Sequence, residues 1–247
     1  MKELRAGVSA AGDIAIEGEH LLAEAAESGL NFAAIFVEQG QEHRLERLTL
    51  PADAEVLVVA RDVFSSAVHT ESPQGVAALV RMPEWTLDEI LDREEPALLV
   101  VSGGLQDPGN LGTLIRSAEA FGATGFIMLP GTVSLANQKV LRASAGSAFR
   151  LPCVAVKEDD LFEALDERGI RIAAAVAAEG ESASEWDFTK PAALLLGNEG
   201  AGLSPSLLAE AEVRLTIPMP GPVESLNAAV AGSVLLYEAA RQRGGKR

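Results

Sequence analysis

Cysteine and histidine are scarce in this sequence, which has one cysteine and three histidines in 247 residues. The lone Cys153 cannot form a disulfide within the chain, and so few ligand side chains argue against a structural zinc site. We therefore expect a protein of a reducing compartment that holds no metal.

Long apolar runs are also missing. The run from residue 97 to residue 101 is far shorter than the roughly 20 residues that cross a bilayer. Residues 1–5 lack the charged and then apolar layout of a signal peptide. We therefore expect a cytoplasmic protein without a membrane partner.

Aromatic residues make up only 4% of the chain, although 48% of its residues are apolar. The core must therefore be built mainly from alanine, valine, leucine and isoleucine, and it is ample for a packed interior. The length suits one large domain or two small ones.

Positive charge is scarce as well, since 20 Lys and Arg face 36 Asp and Glu, a net charge of −16. Residues 1–95 carry 7 basic and 19 acidic side chains, a net of −12, and residues 96–247 carry 13 and 17, a net of −4. This balance argues against strong nonspecific affinity for RNA, although it permits a local basic patch. A host that keeps its proteins acidic for solubility explains the charge equally well.

The pattern of apolar residues divides the chain into three parts. Residues 1–82 alternate short strands and helices, which indicates a small α/β domain. Residues 83–96 read as a linker with a short helix. Residues 97–247 alternate apolar strands and helices, which predicts a parallel sheet covered by helices on both faces.

Three stretches of the C-terminal part share one layout, in which a strand leads through a glycine loop with one asparagine to a helix. They read NLGTLIRSAEAFGATG from Asn110, LLLGNEGAGLS from Leu194 and IPMPGPVESLNAAVAGSVLLYE from Ile217. In the third stretch the prolines stiffen the loop, so we expect the helix to begin with Ser225 or Glu224 as its cap. Leu226, Val230, Val234 and Tyr237 follow at helical spacing, which predicts one apolar stripe on this helix.

Together, these stretches resemble the three motifs of the SpoU (TrmH-type) RNA ribose methyltransferases of the SPOUT superfamily. The resemblance implies an α/β fold with a parallel sheet, a C-terminal deep trefoil knot and a homodimer. It also implies transfer of a methyl group from S-adenosylmethionine to a ribose 2′-hydroxyl. Two N-terminal stretches, EGEHLL from Glu17 and TESPQGVAA from Thr70, resemble the family's substrate-binding domain, which is similar to a ribosomal RNA-binding protein. That domain favours rRNA over tRNA as the substrate.

The resemblance also implies which residues form the site. The cofactor would be held by backbone groups of five residues: Leu196, Gly197, Ile217, Met219 and Leu226. The catalytic positions that match the motifs are Asn110, Arg116, Glu199, Ser225 and Asn227.

Each of these polar residues also has a purely structural interpretation. Arg116 could be a surface residue paired with Glu119, three positions further along the helix. Asn110, Ser225 and Asn227 could be helix caps, and Glu199 a carboxylate at a helix N-terminus. Outside the motifs, Arg142 and Ser144 lie among small residues that suit either an RNA-facing surface or close helix packing.

Three other functions compete with the leading one. The first is an adenosylmethionine-binding protein associated with RNA or the ribosome but without turnover, and the second is an antibiotic-resistance rRNA methyltransferase. The third, a nucleotide-binding oxidoreductase, fails because no G-x-G-x-x-G follows the first strand with an acidic residue about 20 positions later.

Overall fold

The computed structural model describes residues 1–52, 54–68, 70, 72–93 and 96–244. Its contacts divide the chain into two compact units. The N-terminal unit contains Met1–Pro83 and Leu135–Arg150, and the cavity unit contains Glu84–Ser134 and Leu151–Arg247. Glu71 of the N-terminal motif and Glu94 and Glu95 of the expected linker lie outside the described residues.

Within the described residues, the strands in chain order are β1 (Ile14–Glu17), β2 (Asn31–Glu38), β3 (Val56–Val59), β4 (Val76–Arg81), β5 (Leu98–Gly103), β6 (Gly125–Met128), β7 (Cys153–Ala155), β8 (Arg171–Ala175), β9 (Glu181–Ser182), β10 (Ala192–Gly197) and β11 (Val213–Thr216). The α-helices are α1 (Lys2–Ala6), α2 (Glu19–Glu27), α3 (Arg61–Ala67), α4 (Leu87–Leu91), α5 (Pro108–Ala120), α6 (Gln138–Ser144), α7 (Ser147–Arg150), α8 (Glu158–Glu167), α9 (Pro205–Ala209) and α10 (Ala228–Gln242), and a 3-10 helix spans Glu42–Arg47.

The N-terminal unit is built on a four-stranded sheet with the order β1-β4-β2-β3. Strand β4 pairs antiparallel with both of its neighbours, whereas β2 and β3 are parallel. Its core includes Leu4 of α1, Phe36 of β2 and Phe64 of α3, all buried. The predicted small α/β arrangement is therefore present in this unit.

The cavity unit is built on a seven-stranded parallel sheet with the order β7-β6-β5-β10-β8-β11-β9. Strands β5 and β10 lie side by side at its centre, with Gly103 in register with Gly197 at their carboxyl ends. Nearly every residue of both strands is buried, which explains their continuous apolar sequences. The predicted parallel sheet is confirmed, and the trefoil knot that the resemblance implies stays a prediction.

The segment expected to be a linker contributes to the core of the cavity unit. Helix α4 is capped by Thr86, whose hydroxyl accepts a hydrogen bond from the backbone N–H of Glu89. Its Ile90 and Leu91 are buried in a hydrophobic cluster with residues of the sheet. Because the neighbouring residues are mostly charged, the sequence pattern indicated a linker and not a segment of the core.

Helix α10 packs closely against α5 and the central sheet. A Cβ atom on Gly232 would lie 2.5 Å from Leu114 Cδ1 and 2.8 Å from Leu196 Cδ1, so a larger residue at this position would push these two leucine side chains aside. The hydroxyl of Ser233 donates to that of Ser117 in α5 over 2.7 Å. Just beyond the helix, the guanidinium of Arg243 donates to four backbone carbonyls, those of Pro96, Ala97, Phe188 and Lys190.

The helices are short compared with the thickness of a membrane. Over the described part of the chain, none is long and apolar enough to cross a bilayer.

Candidate functional site

A cavity of about 560 Å³ opens in the cavity unit beyond the carboxyl ends of strands β8, β10 and β11. In parallel α/β sheets this edge is the usual place for a ligand, and the volume is in the range of small-molecule sites. The walls are formed by residues from three places: the end of β8, the loop after β10, and the segment from β11 into α10. They include all five positions that the resemblance assigns to the cofactor, Leu196, Gly197, Ile217, Met219 and Leu226.

The loop after β10 forms one wall of this cavity. It folds back on itself because the backbone N–H of Gly202 donates to the Asn198 carbonyl over 2.9 Å, and Asn198 N–H donates to the Gly202 carbonyl over 3.0 Å. A Cβ atom on Gly197 would collide with the backbone of Gly202 and Leu203. Glycine at position 197 is therefore required for this tight return of the chain.

Glu199 connects the same loop to the start of α5. Its Oε1 accepts hydrogen bonds from the backbone N–H of Asp107 (3.1 Å) and from Asn110 Nδ2 (3.0 Å), and its Oε2 accepts one from the N–H of Gln106 (3.3 Å). Partial burial raises the pKa of Glu199, but the hydrogen bonds from Asn110 and the backbone amides outweigh it and lower the pKa overall. Glu199 is therefore a charged carboxylate that receives the amides at a helix N-terminus.

Asn110 and Asn227 continue this network into α10. Asn227 Nδ2 donates to Asn110 Oδ1 over 2.9 Å, while Asn227 Oδ1 accepts from the N–H groups of Ala229 (2.9 Å) and Val230 (3.3 Å). Asn227 is thus the cap of α10 and also the end of a chain of side chains, Glu199–Asn110–Asn227, that joins three loops. The structure brings these three predicted site residues together.

Two predictions about helix caps are wrong. Helix α5 is capped by Asp107, whose Oδ1 accepts from Asn110 N–H over 2.8 Å, so Asn110 lies inside the first turn and its side chain is free to bind Asn227. Helix α10 begins at Ala228 after the Asn227 cap, two to three residues later than Ser225 or Glu224 would place it. Ser225 is instead an exposed residue that lines the cavity.

The predicted apolar stripe of α10 is present, but its side chains face outwards. Val230 is 49% exposed, Val234 40% and Tyr237 57%, and Leu226 before the helix is exposed as well. The buried face consists of other, mostly smaller residues: Ala229, Gly232, Leu235, Leu236 and Ala239. Helix α10 is therefore apolar on two faces, and periodicity alone could not identify the face that the sheet covers.

Arg116 lies on the exposed face of α5, together with Thr113, as its position relative to the buried stripe predicts. The alternative pairing with Glu119 is not formed, and Arg116 makes no hydrogen bond or ion pair with any residue in the described ranges. It is not among the residues that line the cavity. A guanidinium is permanently charged and offers five donors, so this residue is available to an anionic partner.

The two candidate RNA contacts, Arg142 and Ser144, lie on α6 in the N-terminal unit and differ in accessibility. Arg142 is exposed and has no partner among the described residues. Ser144 is completely buried, and its hydroxyl donates to the carbonyl of Leu141 over 2.9 Å. Ser144 therefore serves the helix packing that the sequence left open as an alternative, whereas Arg142 can reach a partner.

Two further features of the described residues concern metal ligands and the single thiol. They contain no cluster of three or more His, Cys, Asp or Glu side chains that could hold a metal ion. Burial raises the pKa of the Cys153 thiol to about 12, and the negative charge of Glu119 adds to this rise. The thiolate that would act as a nucleophile is therefore absent at neutral pH.

Asn198 is a residue of the site that the sequence analysis passed over. It lines the cavity, and its side chain forms hydrogen bonds with the backbone of its own loop and with the backbone of the loop after β5. An asparagine between two glycine-rich segments is a recognisable turn signal, but its long-range contact has no local sequence signature.

Comparison with known proteins connects both parts of the chain to described families. Residues 97–237 match the family model described as "SpoU rRNA Methylase family". Residues 9–78 match the model described as "MRM3-like substrate binding domain".

Individual relatives cover most of the chain. The 23S rRNA (guanosine(2553)-2'-O)-methyltransferase RlmP of Bacillus subtilis is 35% identical over 226 residues, which are 90% of this chain and 86% of the relative. The 23S rRNA (uridine(2479)-2'-O)-methyltransferase of Streptomyces viridochromogenes is 39% identical over 196 residues, which are 76% of this chain and 68% of the relative. The crystal structure of the SpoU methyltransferase AviRb from Streptomyces viridochromogenes in complex with the cofactor AdoMet has a TM-score of 0.82 at 31% identity. That match covers 99% of this chain and 94% of AviRb.

Proposed function

The chain belongs to the SpoU rRNA methylase family, and on this premise we propose that it transfers a methyl group from S-adenosylmethionine to a ribose 2′-hydroxyl of an rRNA. The family inferred from the three sequence motifs is thereby confirmed. The observation that carries the proposal is the cavity, which is lined by all five expected cofactor positions and by Glu199 and Asn227 of the hydrogen-bond network.

The cavity fits S-adenosylmethionine in size and in the chemistry of its lining. Leu196, Ile217, Met219 and Leu226 offer apolar surface, and the loops after β10 and β11 offer backbone amides and carbonyls that can be shared with a nucleoside. The positively charged sulfonium of the cofactor supplies an already activated methyl group, so no metal is needed for the transfer.

Arg116 is the residue we assign to the nucleic acid. As the methyl group leaves the sulfonium for the ribose oxygen, the hydroxyl proton passes to solvent water and S-adenosylhomocysteine is the leaving group. The negative charge that develops on the ribose oxygen can be stabilised by the guanidinium through charge-assisted hydrogen bonds. The same group can hold a neighbouring phosphate in a bidentate manner. Because the guanidinium keeps its own proton at neutral pH, we assign it this electrostatic role and not that of a general base.

The remaining polar positions are assigned by their contacts. Asn227 and Glu199 shape the cavity through Asn110, which lies between them. The hydroxyl of Ser225 has no hydrogen-bond partner in the described part of the chain and lines the cavity. We assign Ser225 to contact with the ribose or the cofactor, since a free hydroxyl can both donate and accept.

We assign rRNA as the substrate, in preference to tRNA, because two relatives are named as 23S rRNA methyltransferases and the N-terminal residues match a substrate-binding domain. In that unit, exposed Arg142 is the proposed phosphate contact. The expected cytoplasmic location stays a prediction.

A homodimer is supported by the exposed apolar face of α10. Contiguous exposed apolar patches usually mark an interface, and Leu226, Val230, Val234 and Tyr237 supply one along a single helix. This face begins at the cavity, since Leu226 belongs to both. A charge in its middle should disrupt the dimer, so Val234→Glu is expected to elute as a monomer in size-exclusion chromatography with light scattering. Val63→Glu, at another exposed valine, is the control, and a dimeric Val234→Glu protein would contradict the assignment.

The alternative of a binding protein without turnover is disfavoured by the state of Arg116. A protein that only binds the cofactor has no need for an exposed arginine that is unpaired among the described residues, in addition to an intact Glu199–Asn110–Asn227 network. An antibiotic-resistance methyltransferase would use the same architecture, and the modified nucleotide separates it from a housekeeping enzyme.

The test is transfer of labelled methyl groups from S-adenosylmethionine to purified rRNA and tRNA, separated by size, with Arg116→Ala as the control. Label in rRNA that disappears in the variant is the expected result. Binding of the cofactor without label in rRNA, tRNA or ribosomal subunits would instead identify a protein without turnover.

A further inference from the structure

Asn198 stands at the point where the cavity wall leaves strand β10, and its side chain is held at both ends. We propose that Asn198 is a positioning residue for cofactor binding, which fixes the loop from Asn198 to Gly202 to the loop that follows β5. The inference rests on the proposed function, because it takes S-adenosylmethionine as the occupant of the cavity.

The oxygen end of the side chain organises the wall itself. Asn198 Oδ1 accepts hydrogen bonds from the backbone N–H groups of Gly200 (2.9 Å) and Ala201 (3.1 Å). Both residues line the cavity. Both amides therefore point at the Asn198 side chain, and these two hydrogen bonds set the path of the backbone in the cavity wall.

The nitrogen end attaches the wall to a second loop. Asn198 Nδ2 donates to the carbonyl of Gly104 over 3.0 Å. Gly104 directly follows β5, whose Gly103 is in register with Gly197 of β10. The bond therefore spans the carboxyl ends of two neighbouring strands, at the sheet edge where the cavity opens.

This attachment differs from the bonds that fold the loop. The paired backbone bonds between Asn198 and Gly202 do not involve the side chain, and Glu199 separately reaches Gln106 and Asp107. Loss of the amide donor should therefore leave the fold intact and loosen only the cavity wall. A loosened wall must be ordered again when the ligand binds, which weakens affinity.

Two substitutions test this role. Asn198→Asp keeps the acceptor for Gly200 and Ala201 but places an oxygen opposite the Gly104 carbonyl. Asn198→Ser stays neutral and is too short to reach Gly104. The matched control is Asn137→Asp. Among the described residues, the Asn137 side chain caps α6 by accepting from Lys139 N–H and makes no other hydrogen bond, and aspartate caps equally well.

The measurements are the Kd for S-adenosylmethionine by calorimetry, kcat and KM in methyl transfer, and thermal unfolding. Both Asn198 variants are expected to bind about tenfold more weakly, as typical for a lost polar contact. At saturating cofactor their kcat should stay within about twofold of the wild type, a separation that general destabilisation would not produce. The control should bind as the wild type does.

Either Asn198 variant binding within twofold of the wild type would overturn the proposal, as would a fall in kcat equal to the rise in KM. A wild-type protein that fails to bind S-adenosylmethionine would instead overturn the proposed function, so the two failures are distinguishable.

Discussion

The two compact units differ in charge. The N-terminal unit carries 9 basic and 13 acidic residues, a net of −4, whereas the cavity unit carries 11 and 23, a net of −12. When the sequence is instead divided after Glu95, the N-terminal part has the larger negative charge. The acidic segment from residue 84 to 95 belongs to the cavity unit, and residues 135–150, with three basic and no acidic side chains, belong to the N-terminal unit.

Ion pairing within the cavity unit bears on the proposed contact with RNA. Three arginines of the cavity unit pair with acidic side chains: Arg168 binds Asp88 and Asp92, Arg171 binds Glu212, and Arg241 binds Glu238. Arg116 is exposed without such a partner among the described residues. Nonspecific RNA affinity is therefore expected to be low, and a few free cations should have large individual effects.

The largest effect is expected for Arg116→Ala in the cavity unit. Turnover should fall by about 100-fold or more, because the stabilising charge is lost, while cofactor affinity should stay within a few-fold. Methyl transfer and calorimetry on one preparation measure both quantities. Arg241→Ala, which removes a paired cation of the same unit, is the control. Near-full activity of Arg116→Ala would remove Arg116 from the mechanism.

A smaller effect is expected for Asn227→Ala, which removes the cap of α10 and its bond to Asn110. Cofactor affinity or turnover should fall about tenfold, and the free energy of unfolding by about 1 kcal/mol. Asn227→Asp keeps the cap but loses the donor to Asn110, so it should affect binding and not stability. If binding and rate are unchanged in both variants, Asn227 is only a cap.

The smallest effect is expected for Arg142→Ala in the N-terminal unit. Loss of one phosphate contact should weaken rRNA binding a few-fold without changing cofactor affinity. The slope of the logarithm of the binding constant against the logarithm of the salt concentration should become smaller in magnitude by about one. Filter binding over a salt series measures this. Arg61→Ala removes an exposed cation that is paired with Glu38 and is the control. Equal losses in both variants would indicate a general charge effect.

Local patterns predicted the elements well. The short helix expected within residues 83–96 is present as α4, and the loops of the second and third motifs line one cavity. Apolar runs, capping residues and glycine turns act over a few residues, so a single sequence contains them. Helix α10 was harder, because both of its faces are apolar and only packing against α5 decides which of them is buried.

The family, the parallel sheet and the five expected cofactor positions, all of which line the cavity, were determined by the sequence alone, because motifs and strand periodicity are local. Tertiary structure decided the rest: that Asp107 and not Asn110 caps α5, that Glu199 reaches Asn110 across 89 positions, and that Asn198 reaches Gly104 across 94. Such bonds depend on which strands become neighbours in the sheet, since pairing of β5 with β10 brings together loops that are distant in the chain.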